Sequence, residues 1–288
     1  MTLERVLQQT ARVFNLHGIE DSHLEARILL GHILKLSPAQ LYTQPERTLS
    51  QEKIESLQQL IERRLCQEPT AYIVKHKEFY GVDFYVDPRV LIPRPETELL
   101  VEKSFEFAKN RTNCLSSLKK PFLIADVGTG CGAIAISLAL NLPQIKVYAT
   151  DISPSALEVA RLNCEYHNVM EQITFIQGNL LEPVPEPVDL IVANLAYIKS
   201  SELADLSPEI TNFEPIVAID GGRNGLDLIQ QLLEQAEEKI HSRGCLLLEI
   251  GQNQGKAMVS LINHCLPKAR FELIPDLSGI KRVVKIDF

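Results

Sequence analysis

Five short, continuously apolar runs separated by helix-like segments constrain the fold of this chain more than any other feature. FLIADVG (122–128), KVYATD (146–151), ITFIQGN (173–179), VDLIVAN (188–194) and CLLLEIG (245–251) are each bounded by turn or polar residues. Strands that read apolar throughout are buried on both faces, as in a parallel sheet covered by helices. Two further runs, ARFELIP (269–275) and KRVVKIDF (281–288), are joined through Asp276 to Gly279, too short a link for a parallel crossover. They are expected to pair as an antiparallel hairpin. Five parallel strands plus a terminal antiparallel pair is a specific combination.

The first 76 residues follow a different period. Leu3, Val6, Leu7 and Phe14 recur at helical spacing until His17-Gly18 breaks the pattern. Ser22 and Glu25 have the spacing of a capping box, expected to open a second helix through Leu34. Pro38 and Pro45 bracket a loop or short helix. Ile54, Leu57, Leu60, Ile61 and Leu65 then make one apolar stripe that stops near Pro69. The expectation is a small helical bundle over 1–76 that serves as scaffold or docks a partner. Residues 77–95 are expected to form a β-hairpin linker around Gly81-Val82-Asp83, and 96–288 the α/β domain. In PRPETELLVE, Pro95 suits a first helical position, and Glu96 and Glu98 oppose the positive end of the helix dipole.

Composition removes several classes. No apolar run approaches the roughly 20 residues that cross a bilayer, and MTLERVLQQTARVF lacks the apolar core of a secretory signal. The cytoplasm is expected, with no membrane partner. Six scattered cysteines without a C-x-x-C, and seven histidines without H-E-x-x-H, suggest neither disulfides nor a metal. The net charge of −8 falls wholly after residue 76, where 20 Lys and Arg face 28 Asp and Glu; before it, nine face nine. Nucleic-acid binding rests on neutralising phosphates, so this balance argues against direct contact with nucleic acid.

The first strand meets its helix at Asp126-Val127-Gly128-Thr129-Gly130-Cys131-Gly132-Ala133. Glycines there let the backbone approach a ligand beside unpaired helix N–H groups. The run satisfies both the G-x-G-x-x-A of dinucleotide sites and the D-x-G-x-G-x-G of S-adenosylmethionine enzymes. Asp151 ends the second strand, where a carboxylate can accept from both hydroxyls of a ribose, although Ser153 is the better cap for the next helix. Asn179 and Leu180 end the third strand, a polar side chain and an apolar neighbour that could flank an adenine. The fourth strand ends at Asn194-Leu195-Ala196-Tyr197, where methyltransferases acting on planar nitrogens carry Asn-Pro-Pro-Tyr.

With these pieces in place the chain resembles the HemK/PrmC family, protein-(glutamine-N5) methyltransferases of peptide chain release factors. The matching runs cover essentially the whole length: EPTAYIVKHKEFYG (68–81), LIPRPETE (91–98), DVGTGCGAIAISLA (126–139), NFEPIVAIDGG (212–222), GLDLI (225–229), RGCLLLEIGQNQG (243–255) and DLSGIKRVV (276–284). The resemblance implies a class I, Rossmann-like, seven-stranded methyltransferase domain that binds S-adenosyl-L-methionine, preceded by the helical bundle and hairpin. The implied partner is a class I release factor, methylated on the Gln of its Gly-Gly-Gln loop. Carried over by position, Gly128, Thr129, Gly130, Cys131, Gly132, Asp151, Leu180 and Asn194 contact the cofactor. Asn194, Leu195, Ala196 and Tyr197 receive the glutamine.

An amide nitrogen is a poor nucleophile because its lone pair is delocalised into the carbonyl. Accepting both of its N–H protons, on the Asn194 oxygen and on a backbone carbonyl just after it, favours the pyramidal, charge-bearing transition state. Leu195 supplies that carbonyl as well as Pro does, but without both rings the unbound loop samples more conformations. The ordering cost predicts a roughly tenfold to a hundredfold weaker site. Two nearer rivals stand beside this reading, with an NAD-dependent oxidoreductase further off, disfavoured by the terminal antiparallel hairpin and the lack of a proton-relay residue in the second half. One is an adenine-N6 nucleic-acid methyltransferase, for which Asn-Leu-Pro-Tyr loops are known. The other is a non-catalytic relative that binds cofactor or release factor only.

Overall fold

The computed structural model describes residues 1–114 and 121–288. The chain divides into two compact units, Met1–His76 with Ser207–Phe213, and Lys77–Leu206 with Glu214–Phe288.

The first unit contains α1 (Leu3–Leu16), α2 (Ser22–Leu34), α3 (Pro38–Thr43), α4 (Gln51–Leu65) and α5 (Thr70–Val74). Leu3, Val6, Leu7 and Phe14 are all buried, and Leu57 of α4 joins their cluster with Ile54, Leu60, Ile61 and Leu65 packed around it. The helical stripe thus becomes the core of this unit. The expected capping box at Ser22 does not form. Ser22 already lies inside α2, and Asp21 precedes it in a left-handed conformation with no side-chain cap. Glu25 is engaged elsewhere: it accepts from Arg64 Nε at 3.1 Å and from the Thr70 hydroxyl. Arg64 is 2% exposed and also pairs with Glu209. A buried guanidinium needs carboxylate partners more than a helix end needs a second acceptor. The reciprocal cap occurs instead at α3, where the Ser37 hydroxyl accepts from Gln40 N–H and Gln40 Oε1 accepts from Ser37 N–H.

Strand β1 (His76–Phe79), whose first residue is counted with the first unit, and β2 (Val82–Tyr85) form a hairpin. Its turn residues, Tyr80 and Gly81, both have positive φ, which matches the right-handed twist of paired strands. A single 3-10 turn at Pro95–Thr97 leads into α6 (Glu98–Cys114). Then follow β3 (Phe122–Val127), α7 (Ala133–Asn141), β4 (Ile145–Asp151), α8 (Pro154–Tyr166), β5 (Ile173–Gln177), β6 (Val188–Ala193) and α9 (Pro208–Phe213), the last counted with the first unit. The chain closes with α10 (Asp227–Lys239), β7 (Ile240–Glu249), α11 (Gly255–Cys265), β8 (Arg270–Pro275) and β9 (Lys281–Asp287).

The sheet order is β5-β4-β3-β6-β7-β9-β8. Strands β3 to β7 are parallel, while β9 pairs antiparallel with both β7 and β8. This is the expected doubly wound, seven-stranded arrangement. Chain order reverses between β3 and β6, which places a ligand crevice outside their carboxyl ends. Register pairs Asp126 with Val192 and Val127 with Ala193, so the loops after these two strands emerge side by side. Among the described residues no helix is long and apolar enough to cross a membrane, and no group of three His, Cys, Asp or Glu could hold a metal ion.

Candidate active site

The loop after β3 is tied down by its own neighbours in sequence. Asp126 is fully buried, and its Oδ2 accepts from the Thr129 hydroxyl at 2.7 Å and from Ala135 N–H at 3.1 Å. Burial pushes this carboxyl up to about 6, against the pull of those two bonds. Gly128 and Thr129 both donate their N–H groups to the Thr150 carbonyl. Gly130 N–H donates to Asp151 Oδ2 at 2.9 Å, and Ser153 N–H donates to Asp151 Oδ1 at 2.9 Å. Ser153 caps α8 by accepting from Ala156 N–H. Asp151 therefore orders the glycine turn while its carboxylate borders the cleft; burial raises its pKa.

That cleft holds about 840 Å³ of free space, its open mouth included, a size suited to a nucleoside cofactor. Of the residues singled out from sequence, Gly128, Gly130, Asp151, Asn179, Leu180, Asn194, Leu195 and Ala196 line it. Thr129, Cys131, Gly132 and Tyr197 are not among its lining residues. Thr129 is spent on Asp126. The Cys131 thiol is buried and pushed up to about 12, so it is inert, and its carbonyl accepts from Asn163. Asn163 also exchanges hydrogen bonds with the Tyr85 backbone, fastening the hairpin to the glycine loop. Asn179 donates to Glu182 at 2.8 Å. Leu180 sits in the left-handed region with φ 51°, a conformation costing a leucine about 1–2 kcal/mol; its carbonyl accepts from the Thr150 hydroxyl. Ile152 was not singled out, yet it lines the cleft with 57% exposure. Its only signal in the sequence is an apolar residue directly after Asp151 at the strand end.

The loop after β6 is held from a distance. Asn194 Nδ2 donates to Thr97 Oγ1 at 2.9 Å, and the Thr97 hydroxyl donates to Glu249 Oε2 at 2.6 Å. The Tyr197 hydroxyl donates to Glu249 Oε1 over a longer 3.3 Å. Gln254 Nε2 donates to the Tyr197 carbonyl at 2.9 Å and the Gly225 carbonyl at 3.1 Å, while its Oε1 accepts from Gly251 N–H. Gly225 has φ 69° and lies so close to the Tyr197 carbonyl that a Cβ would strike it. Ile198 N–H donates to the Ile219 carbonyl and Gly221 N–H to that of Ile198. Leu195 and Ala196 are themselves buried. Burial pushes the Glu249 carboxyl up to about 7, and Glu96 adds to the rise. Thr97, Glu249, Gln254 and Gly225 had no individual role in the sequence reading. Their signal lay in the runs LIPRPETE, RGCLLLEIGQNQG and GLDLI that carry the resemblance.

Sheet order and the placing of the glycine turn put the chain among the class I S-adenosylmethionine-dependent methyltransferases. Residues 5–74 match the family model described as PrmC N-terminal domain, and 112–203 match the methyltransferase small domain. The chain is 38% identical over 283 residues to the release factor glutamine methyltransferase of Moorella thermoacetica, covering 98% of this chain and 97% of that protein. It is 36% identical over 287 residues to the enzyme of the same name from Koribacter versatilis, covering 99% and 98%. The chain belongs to the release factor glutamine methyltransferase family. The crystal structure of the hMettl16 catalytic domain in complex with MAT2A 3'UTR hairpin 6 shares the fold, with a TM-score of 0.57 at 14% identity over 78% of this chain and 81% of that one.

The groups on the cleft wall fit S-adenosylmethionine. A Cβ at Gly130, where φ is 55°, would meet nothing within 4 Å, so the backbone there is open to close approach. Asp151 keeps lone pairs for paired hydroxyls, and Ile152 and Leu180 offer apolar surface to a planar base.

Proposed function

We propose that this enzyme methylates the side-chain amide nitrogen of the Gln in the Gly-Gly-Gln loop of class I peptide chain release factors. One observation carries the reading: the orientation of the Asn194 amide. The Thr97 hydroxyl proton is committed to Glu249, so its oxygen can only accept, and Asn194 meets it with Nδ2. Asn194 Oδ1 is then left as an acceptor at the edge of the cleft. An acceptor there suits a substrate that brings N–H donors on a planar nitrogen.

In this reading Gly128, Gly130, Asp151, Asn179, Leu180 and Asn194 hold the cofactor from the cleft wall, with Thr129, Cys131 and Gly132 shaping the turn behind them. S-adenosylmethionine supplies an electrophilic methyl group when bound. Asn194 Oδ1 and the Leu195 carbonyl accept the two amide protons of the substrate. Their joint demand pulls the nitrogen away from planarity and returns its lone pair to the nucleophile. No general base acts before transfer, because the methylated amide is strongly acidic and sheds its extra proton unaided. Leu195 and Ala196 line the cleft beside the acceptors, and Tyr197, held by Glu249 and Gln254, packs against the plane of the substrate amide in this reading.

The helical unit is the partner-docking module of this proposal, supported by exposed Leu16, Leu24 and Tyr42 on its surface. The net charge of −8 favours a protein over a nucleic-acid partner, and the substrate places the enzyme in the cytoplasm. The test offers the enzyme methyl-labelled S-adenosylmethionine with a class I release factor, with the same factor carrying Ala for the Gln, and with ribosomal RNA. Label is expected in the first alone. Label in the RNA, found as N6-methyladenine on nucleoside analysis, would establish the adenine-N6 reading, and cofactor binding without label in any of them would make the chain a binding-only relative.

A further inference from the structure

We propose that Glu249 is a positioning residue for methyl transfer, setting Asn194 through the Thr97 hydroxyl and Tyr197 through its phenol. The inference rests on the reading of Asn194 as the acceptor for the substrate amide. Glu249 is the last residue of β7, is 1% exposed, and lies in register with Val283 of β9. A buried carboxylate is costly unless a cation pairs with it. Among the described residues no salt bridge reaches Glu249; its side-chain partners are the two hydroxyls. A purely structural role would be filled at lower cost by a neutral side chain.

What an ionised carboxylate adds is direction. It can only accept, so the Thr97 hydroxyl must donate to it and can only accept from Asn194. The polarity of the chain runs from the Asn194 amide through Thr97 to Glu249 and leaves Oδ1 as the acceptor for substrate. A Gln at 249 has one acceptor and one donor, so one of the two hydroxyls would have to reverse. A protonated Glu249 has the same defect.

The charged and titratable groups around it come from three elements. Glu96, in the 3-10 turn before α6, raises its carboxyl. Arg282 of β9 and hydrogen bonds from Thr97 and Tyr197 lower it, and burial outweighs them, leaving it at about 7. The site therefore loses its polarity as pH falls below neutrality. Stability runs the other way. A carboxyl raised on folding contributes stability that is complete below its ordinary value of 4.5 and lost as pH rises through about 7. Glu249→Gln removes that penalty, so a merely structural account and a positioning account diverge at alkaline pH.

The experiment measures single-turnover methyl transfer to a class I release factor at saturating S-adenosylmethionine, from about pH 6 to 9, with cofactor affinity measured alongside. Wild type is expected to show an acid limb near neutrality. Glu249→Gln is expected to be about tenfold slower at pH 8, flat with pH, unchanged in cofactor affinity, and no lower in melting temperature. Thr97→Val is expected to match that loss, and Thr97→Ser to transfer within about twofold of wild type. The threonine pair carries the test if Glu249→Gln does not fold. Wild-type rates in Thr97→Val, or an acid limb kept in Glu249→Gln, would overturn the proposal. No transfer by wild type with cofactor bound would overturn the substrate reading, and this inference with it.

Discussion

The loops after β3 and β6 leave adjacent strands in register, yet they are held by different kinds of constraint. The first is closed by residues within 21 positions of Gly130: Asp126 gathers Thr129 and Ala135, and Asp151 takes Gly130 N–H. The second depends on Thr97, which is 97 residues from Asn194, and on Glu249, which is 52 residues from Tyr197. A local loop keeps its shape as long as its own segment folds. A loop set from a distance keeps its shape only while the sheet, the 3-10 turn before α6 and the start of α11 are assembled. The loop proposed to hold the cofactor is therefore robust, and the loop proposed to receive the substrate is tuned by distant packing.

Crossed substitutions test that division. Asn194→Ala is expected to have the largest effect, lowering single-turnover transfer by about 10²–10³ with cofactor affinity changed less than about tenfold. Asp151→Ala should do the converse: cofactor affinity falls by about ten- to a hundredfold from lost charge-assisted hydrogen bonds, while transfer at saturating cofactor survives. If both variants lost both properties, the two loops would be one unit. Next comes Gly225→Ala, whose Cβ meets the Tyr197 carbonyl. It should slow transfer by about tenfold and spare cofactor affinity, as isothermal titration beside a transfer assay would show. The smallest change is expected from restoring rings. A free-chain argument assigns Leu195-Ala196 a tenfold to hundredfold ordering cost, but Gln254, Glu249 and Gly221 already hold this loop. Replacing both residues by Pro should raise kcat/KM by no more than about fivefold. A rise near a hundredfold would show the loop to be loose and would break the comparison.

The division also explains what could be read from sequence. The five apolar runs and the short link at Asp276 led directly to the observed sheet, because strand burial and connection length are local properties. Gly128 to Gly132 and Asp151 could be placed at their strand ends for the same reason. Asn194 could be placed, but its orientation could not, since that depends on where Thr97 and Glu249 arrive after folding. Ser22 and Glu25 failed for a related cause: the spacing of a capping box is local, whereas Arg64, which takes Glu25 away from the helix end, is 39 residues off. Thr97, Glu249 and Gln254 were visible only as letters in runs shared with the family.

Mass spectrometry of the Gly-Gly-Gln peptide, after wild-type enzyme has acted on a release factor with S-adenosylmethionine, tests the central claim most directly. The account predicts one methyl group on the side-chain amide nitrogen of that glutamine. An unmodified glutamine from enzyme that has bound cofactor, or a methyl group on any other residue, would contradict it.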